Sequence, residues 1–391
     1  MELVQIRSKN SSPPRVSHLM TGTGALKSVW LQITSRCNQT CSYCYMNATK
    51  ESHDHLTFEE ILQVFSISKR LGVETMLISG GEPTIVKELA DILTASVRDF
   101  GFRTYLVTNG TGITDKLTAL LAELEVVVQV SMDTMDEEAY AKVRGLPMLP
   151  RIKRNVIGML ERGVVTGLSM PITNVVDQEI TPVLEWALEV GIQNIHVSTS
   201  YGQRTGVTDD LTRQNAESVL NELYEFEKQH FFELSIDLIE NMIISMVGAG
   251  ESCATYCTPM SGRAIEVDAK GNVYYCGAIT SVPEMALGNV LSPTFEPDFV
   301  ERRRSGKHLS FSPDRLPICS SCEYVRMCKG GCRSQALFYT GDLFNPVSHC
   351  ADLKRVFGSM VADHESGALD ELISFLKLAH GDGLSSHTKC F

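Results

Sequence analysis

Between residues 28 and 198, short apolar runs alternate with amphipathic stretches, and this alternation constrains the fold more than any other feature. The apolar runs are Val29–Thr34, Thr75–Ser79, Thr104–Thr108, Val126–Ser131, Val164–Pro171 and Asn194–Ser198, each of strand length. Between the first two, Thr57 and Glu60 form a capping box that opens a helix to about Leu71. Helical periodicity predicts further helices near 86–99, 114–123, 136–144, 149–162 and 179–190. Strands separated by helices of this length form right-handed βαβ units and a parallel sheet. Six of them predict an α/β fold, an open, partial (β/α)6 barrel, with its chemistry at the carboxyl ends of the strands.

The cysteines fall at those ends or beyond the barrel. Of twelve, Cys37, Cys41 and Cys44 follow the first strand, none follows until Cys253, eight lie from Cys253 to Cys350, and Cys390 stands alone. The sequence has no apolar run of about 18 residues and no secretory h-region at its start, so a cytoplasmic protein with no membrane partner is expected. In a reducing compartment, tightly grouped cysteines point to metal binding rather than to disulfides. The net charge of −12 argues against nucleic acid as a partner, because such binding depends on Lys and Arg neutralising phosphates.

The spacing Cys37-x3-Cys41-x2-Cys44 puts three thiolates on one short loop. A cubane iron–sulfur cluster usually takes four cysteines. Three would leave one iron open to a small molecule, as catalytic metal sites keep an open position. A zinc site short of one ligand, or three unrelated buried cysteines, are the alternatives from spacing alone. Ile78-Ser79-Gly80-Gly81-Glu82-Pro83 ends the second strand, and its glycines would let backbone approach a ligand closely.

Together these motifs resemble the radical S-adenosylmethionine (SAM) superfamily, including the aromatic Tyr43 before the third cysteine. The resemblance implies a [4Fe–4S] cluster on Cys37, Cys41 and Cys44 that cleaves SAM to a 5′-deoxyadenosyl radical. It implies that Gly80, Gly81 and Glu82 position the methionyl amine. Tyr43 and Asn109 lie at the same strand ends, and Ser131 and Asp133 would be near the ribose or methionyl end. Arg144 resembles an arginine that pairs with the SAM carboxylate; the plain alternatives are a solvated helix-end arginine, and helix-capping roles for Ser131 and Asp133.

Beyond the barrel, Cys257-x13-Gly271-x4-Cys276 and Cys319-x2-Cys322-x5-Cys328-x3-Cys332-x17-Cys350 resemble the SPASM extension of radical SAM proteins. That resemblance implies two auxiliary [4Fe–4S] clusters, one on Cys253, Cys257, Cys276 and Cys332 and one on Cys319, Cys322, Cys328 and Cys350, three clusters in all. Without Cys253 the first would keep an open iron. A zinc ribbon over Cys319–Cys350 is the alternative. Residues 263–276 read as a hairpin turning at Lys270–Asn272, and helices are expected near 210–231, 234–247 and 367–379. The expected organisation is an arm (1–27), the barrel (28–235), a small cysteine-rich SPASM domain (236–355) and a helix with a tail (356–391). Cys390 has no partner in the pattern, and His53 and His55 read as loop residues.

The resemblance implies an enzyme, a precursor peptide as substrate, an external electron donor such as flavodoxin or ferredoxin, and a carbon–carbon, ether or thioether crosslink as product. Radical chemistry on a small metabolite, and a non-catalytic iron–sulfur carrier, are the competing expectations. In the formylglycine-forming sulfatase maturases an aspartate follows the third auxiliary cysteine and acts as base. Here that position is Gly277, which disfavours the reaction. Glu266 and Asp268 are carboxylates on the same hairpin, with nothing in the sequence to single either out.

Overall fold

The computed structural model describes residues 26–172, 180–199, 216–248, 262–280, 282–304 and 316–380. Cys253, Cys257 and Cys390 lie outside them.

The six expected strands form in order: β1 (Ser28–Gln32), β2 (Thr75–Ser79), β3 (Arg103–Thr108), β4 (Val127–Ser131), β5 (Thr166–Ile172) and β6 (Asn194–Thr199). All pair in parallel with their sequence neighbours. The intervening helices are α1 (Phe58–Arg70), α2 (Leu89–Thr94), α3 (Asp115–Glu123), α4 (Glu137–Arg144), α5 (Leu149–Glu161) and α6 (Thr181–Val190). The Thr57–Glu60 capping box forms at the start of α1. The helix expected over 86–99 is broken: α2 ends at Thr94 and runs on as a wide π-type turn, Ala95–Asp99. After α7 (Ala216–His230), a two-residue strand β7 (Ser235–Ile236) joins β6, and α8 (Asp237–Val247) follows.

The sheet does not stop at the sixth βα unit. β8 (Ala264–Val267) lies parallel to the free edge of β1, with Trp30 opposite Glu266 in the register. β9 (Asn272–Tyr274) and β10 (Gly288–Asn289) then add antiparallel strands, giving the order β10-β9-β8-β1-β2-β3-β4-β5-β6-β7. The hairpin turn between β8 and β9 is made by Asp268, whose carboxylate accepts from the Lys270 and Asn272 N–H groups, and by Gly271 at φ +81°. Later come α9 (Phe295–Arg304), α10 (Val325–Cys328), α11 (Arg333–Thr340), α12 (Cys350–Glu365) and α13 (Asp370–His380). No helix among the described residues is long and apolar enough to cross a membrane.

Strand side chains alternate between faces. One face sends Val29, Leu31, Met76, Ile78, Leu106, Val128, Leu168, Ile195, Ile265 and Val267 into a single apolar core shared with the helices. The other face has a small apolar floor of Leu77, Tyr105 and Val127 with Trp30 and Val165 against it. Nearer the carboxyl ends the same rows carry Gln32, Ser79, Gln129, Ser131, His196 and Glu266. The sheet therefore presents a polar concave rim at the end where the cysteine loop begins.

Candidate active site

The cysteine loop leaves β1 and is closed on itself before α1. Thr34 bridges His55, Arg36 bridges Thr49, and the Cys37 N–H donates to the Thr49 carbonyl at 3.0 Å. The middle of the loop rests on the end of α4: the Thr40 and Ser42 N–H groups donate to the carbonyls of Arg144 (3.2 Å) and Val143 (2.9 Å). Gly145, which ends α4 at φ +81°, makes this possible twice over. It adopts the left-handed cap, and a Cβ there would lie 2.2 Å from the Thr40 hydroxyl oxygen.

Gly80 and Gly81 pack against the opposite side of the loop. A Cβ on Gly80 would meet the Thr34 carbonyl oxygen at 2.6 Å, and one on Gly81 the Arg36 carbonyl oxygen at 2.2 Å. The Gly81 and Glu82 N–H groups donate to those same carbonyls, at 2.7 and 2.9 Å. The close approach that the glycines allow is thus made, in the chain itself, by the cysteine loop.

The Glu82 side chain is fully buried and accepts from the Thr84 N–H and hydroxyl (3.0 and 2.6 Å), the Thr108 hydroxyl (2.6 Å) and the Asn109 N–H (2.7 Å). Burial pushes its pKa up; the donors pull it down without cancelling the rise. It bolts the end of β2 to the end of β3. Asn109 carries the connection back to the loop, its Nδ2 donating to the Asn38 side chain at 2.8 Å.

A second buried group joins Tyr43, Asp133 and Arg144. The Tyr43 hydroxyl donates to Asp133, and Arg144 grips the same carboxylate with Nε and Nη2. The guanidinium lies 5.6 Å from the Tyr43 ring centroid. Burial opposes the arginine's charge, yet the Asp133 carboxylate holds its pKa well above the ordinary value. Both Ser131, half-buried at the end of β4, and the triad border the polar rim. The residues expected from sequence thus fall into two networks flanking one loop; the Asp133–Arg144 pairing was not foreseen, although opposite charges eleven residues apart across a strand–helix turn are its only sequence signal.

The thiols suit iron–sulfur clusters. Cys37 is buried, and burial together with the neighbouring Cys41 and Cys44 pushes its pKa up to about 12. Such a thiol is inert unless a metal supplies the charge that stabilises its thiolate. Cys319, Cys322, Cys328 and Cys350 line one cavity with Gly330, Pro346 and Lys354. Among the described residues no three ligand-type side chains close on a point as a single ion would need; these four thiols instead surround a volume. Arg333, behind that cavity, donates to the carbonyl of Gly330 in its lining and to those of Leu343 and Asn345, the last two at 2.8 and 2.9 Å. Burial and the nearby Cys332 push the pKa of the Cys276 thiol up to about 12, and Ser334 donates to the Cys276 sulfur at 3.6 Å.

Gly277 explains itself in the fold. The three atoms nearest to a Cβ built there all belong to the Glu266 carboxylate, the closest at 2.3 Å. Of the two hairpin carboxylates, Glu266 is therefore the one that reaches the cysteine loops, while Asp268 is spent on the turn.

A parallel sheet whose first strand feeds a three-cysteine loop, locked by a Gly-Gly-Glu segment at the next strand end, is the arrangement that the comparisons with known proteins pick out. Residues 31–187 match the family model described as the Radical SAM superfamily. The cofactors of that superfamily are a [4Fe–4S] cluster and SAM. Over 325 residues it is 26% identical to the PqqA peptide cyclase of Rhizobium meliloti (strain 1021), covering 80% of this chain and 83% of that protein. The fold is shared with native anSMEcpe bound to AdoMet and Cp18Cys peptide (TM-score 0.72, 20% identity, 88% of this chain and 99% of that one). It is shared also with Streptococcus suis SuiB bound to precursor peptide SuiA (TM-score 0.67, 16% identity, 89% and 79%).

Proposed function

We propose that the protein modifies a ribosomally made precursor peptide by radical SAM chemistry, forming a carbon–carbon, ether or thioether crosslink. The observation that carries this reading is the similarity to PqqA peptide cyclase, which covers 80% of this chain, more than the residues of the barrel alone.

When bound, the first cluster would supply the electron that cleaves SAM to a 5′-deoxyadenosyl radical. Cys37, Cys41 and Cys44 would hold it, and the Glu82–Asn109 and Tyr43–Asp133–Arg144 networks would fix the loop that presents it. Gly80, Gly81 and Ser131 would border SAM at the strand ends. Cys319, Cys322, Cys328 and Cys350 would hold one auxiliary cluster, and Cys253, Cys257, Cys276 and Cys332 the other. On this reading residues 28–235 form the barrel and 236–355 the SPASM unit, working in the cytoplasm with a flavodoxin or ferredoxin as electron donor. The polar rim would bind peptide, and an extended peptide lying across it would help keep water from the radical.

The test is to incubate reduced, reconstituted enzyme with SAM and synthetic peptides encoded by short neighbouring reading frames. The expected result is a peptide lighter by two hydrogens, with deuterium from the attacked position appearing in 5′-deoxyadenosine. Deuterium transfer from a free sugar or amino acid instead, with no peptide stimulating turnover, would replace this reading with metabolite chemistry.

A further inference from the structure

Glu266 is only 4% exposed, yet its partners are all neutral donors. Its Oε1 accepts from Gln32 Nε2 on β1 and from the Tyr45 hydroxyl, the latter at 3.4 Å. The backbone of Gly277 packs against the same carboxylate. Tyr45 directly follows Cys44, and Gly277 directly follows Cys276. One carboxylate thus holds a residue beside each of two cysteine groups that are far apart in sequence.

The fit is close on every side. Gln32 anchors Glu266 to β1, the strand from which the SAM-cluster loop departs. β8, which carries Glu266, is in turn paired to β1, and the Cys276 segment follows β9, the antiparallel partner of β8. Gly277 has no positive φ that would demand glycine. Its missing side chain is accounted for by the Glu266 carboxylate, which fills the space.

We propose that Glu266 is a positioning residue that ties the SAM-cluster loop to the hairpin loop of the Cys276 group and so sets the spacing between the two clusters. The inference rests on the reading that both groups carry clusters. Buried hydrogen bonds of this kind orient metal-ligand loops from just outside the ligand set. The spacing matters because the magnetic interaction between two reduced clusters falls steeply with their separation, which makes it a direct readout.

The experiment uses full-length reconstituted protein, assayed first for iron and then, reduced with dithionite, by low-temperature electron paramagnetic resonance. The wild type is expected to show a spin–spin interaction between the two clusters, and Glu266→Ala to keep its iron but weaken that interaction. Glu266→Gln, which keeps an acceptor oxygen for Gln32 and Tyr45, should restore it. Gly277→Ala, whose methyl would press on the carboxylate, should disturb the interaction in the wild-type background and add nothing to Glu266→Ala, as expected of residues sharing one contact. Should Glu266→Ala not fold, Gly277→Ala and Tyr45→Phe give the same readout. Wild-type coupling in these variants at full iron content overturns the inference alone. A wild-type protein lacking iron at the Cys276 group would overturn the cluster reading, and the inference with it.

Discussion

The Arg144 guanidinium and the Asp133 carboxylate meet through two parallel hydrogen bonds, Nε to Oδ2 at 2.6 Å and Nη2 to Oδ1 at 2.7 Å, with 4% and 1% of the side chains exposed. Neither charge is screened by water, and the Tyr43 hydroxyl binds the same carboxylate. The pair therefore fixes α4, on which the cysteine loop rests, to the end of β4.

Removing one partner should be far worse than removing both. Breaking a buried pair costs about 3–5 kcal/mol, whereas an apolar replacement of both is often close to neutral. Asp133→Asn is expected to lower the Tm markedly and to reduce SAM cleavage, and the double variant Asp133→Leu/Arg144→Met to recover much of the Tm but not the cleavage. Thermal denaturation and 5′-deoxyadenosine assays check both. An Asp133→Asn protein with unchanged Tm would show that the pair does not carry the loop.

The cysteine groups should fail independently. Cys41→Ala should abolish 5′-deoxyadenosine formation while keeping the auxiliary iron, and Cys328→Ala should remove iron without touching the first loop. Three four-iron clusters amount to about twelve irons per chain. Iron near four with stoichiometric zinc would restore the zinc-ribbon alternative for Cys319–Cys350.

Glycines provide a steric test. Gly81→Ala would put a methyl 2.2 Å from the Arg36 backbone carbonyl oxygen, which cannot move without opening the cysteine loop. Loss of the first cluster is expected. Gly158, inside α5, has only the mobile tip of Arg162 within 4 Å. Gly158→Ala should therefore stabilise the chain by about 0.5–1 kcal/mol, the usual gain in a helix interior. Comparable effects from the two variants, by denaturation and iron content, would contradict the packing.

His196 supplies a pH dependence. Its Nδ1 lies 2.5 Å from Asp237 Oδ2, and burial, which would depress its pKa, is outweighed by that carboxylate, so the pKa is raised. A histidine with a raised folded pKa contributes stability that is full below its unfolded value of about 6.5 and is lost as pH rises through the folded one. The stability difference between wild type and His196→Asn should thus be larger at about pH 5.5 than at about pH 8.5. A difference independent of pH would mean the pair is not ionic.

The sequence by itself determined the six strands, the order of their helices and the placing of Cys37–Cys44, Gly80–Glu82 and Asn109 at strand ends. Periodicity, capping and motif spacing are local signals, read within a window of a dozen residues. The hairpin expected to turn at Lys270–Asn272 forms, with its turn slightly earlier, at Asp268–Gly271. The helices α10, α11 and α12 lie outside the sequence-based expectations, because around Cys319–Cys350 cysteine and glycine spacing masks the helical period; α9 lies outside them as well. Only the tertiary structure decided which carboxylates matter. Asp133 became the partner of Arg144 because α4 folds back over the end of β4. Glu266 became the neighbour of Tyr45 and Gly277 because β8 pairs with β1, a contact across more than 200 residues that no local pattern encodes. Burial then removes water as an alternative partner, so each buried carboxylate must be satisfied by whichever donors the distant segments bring.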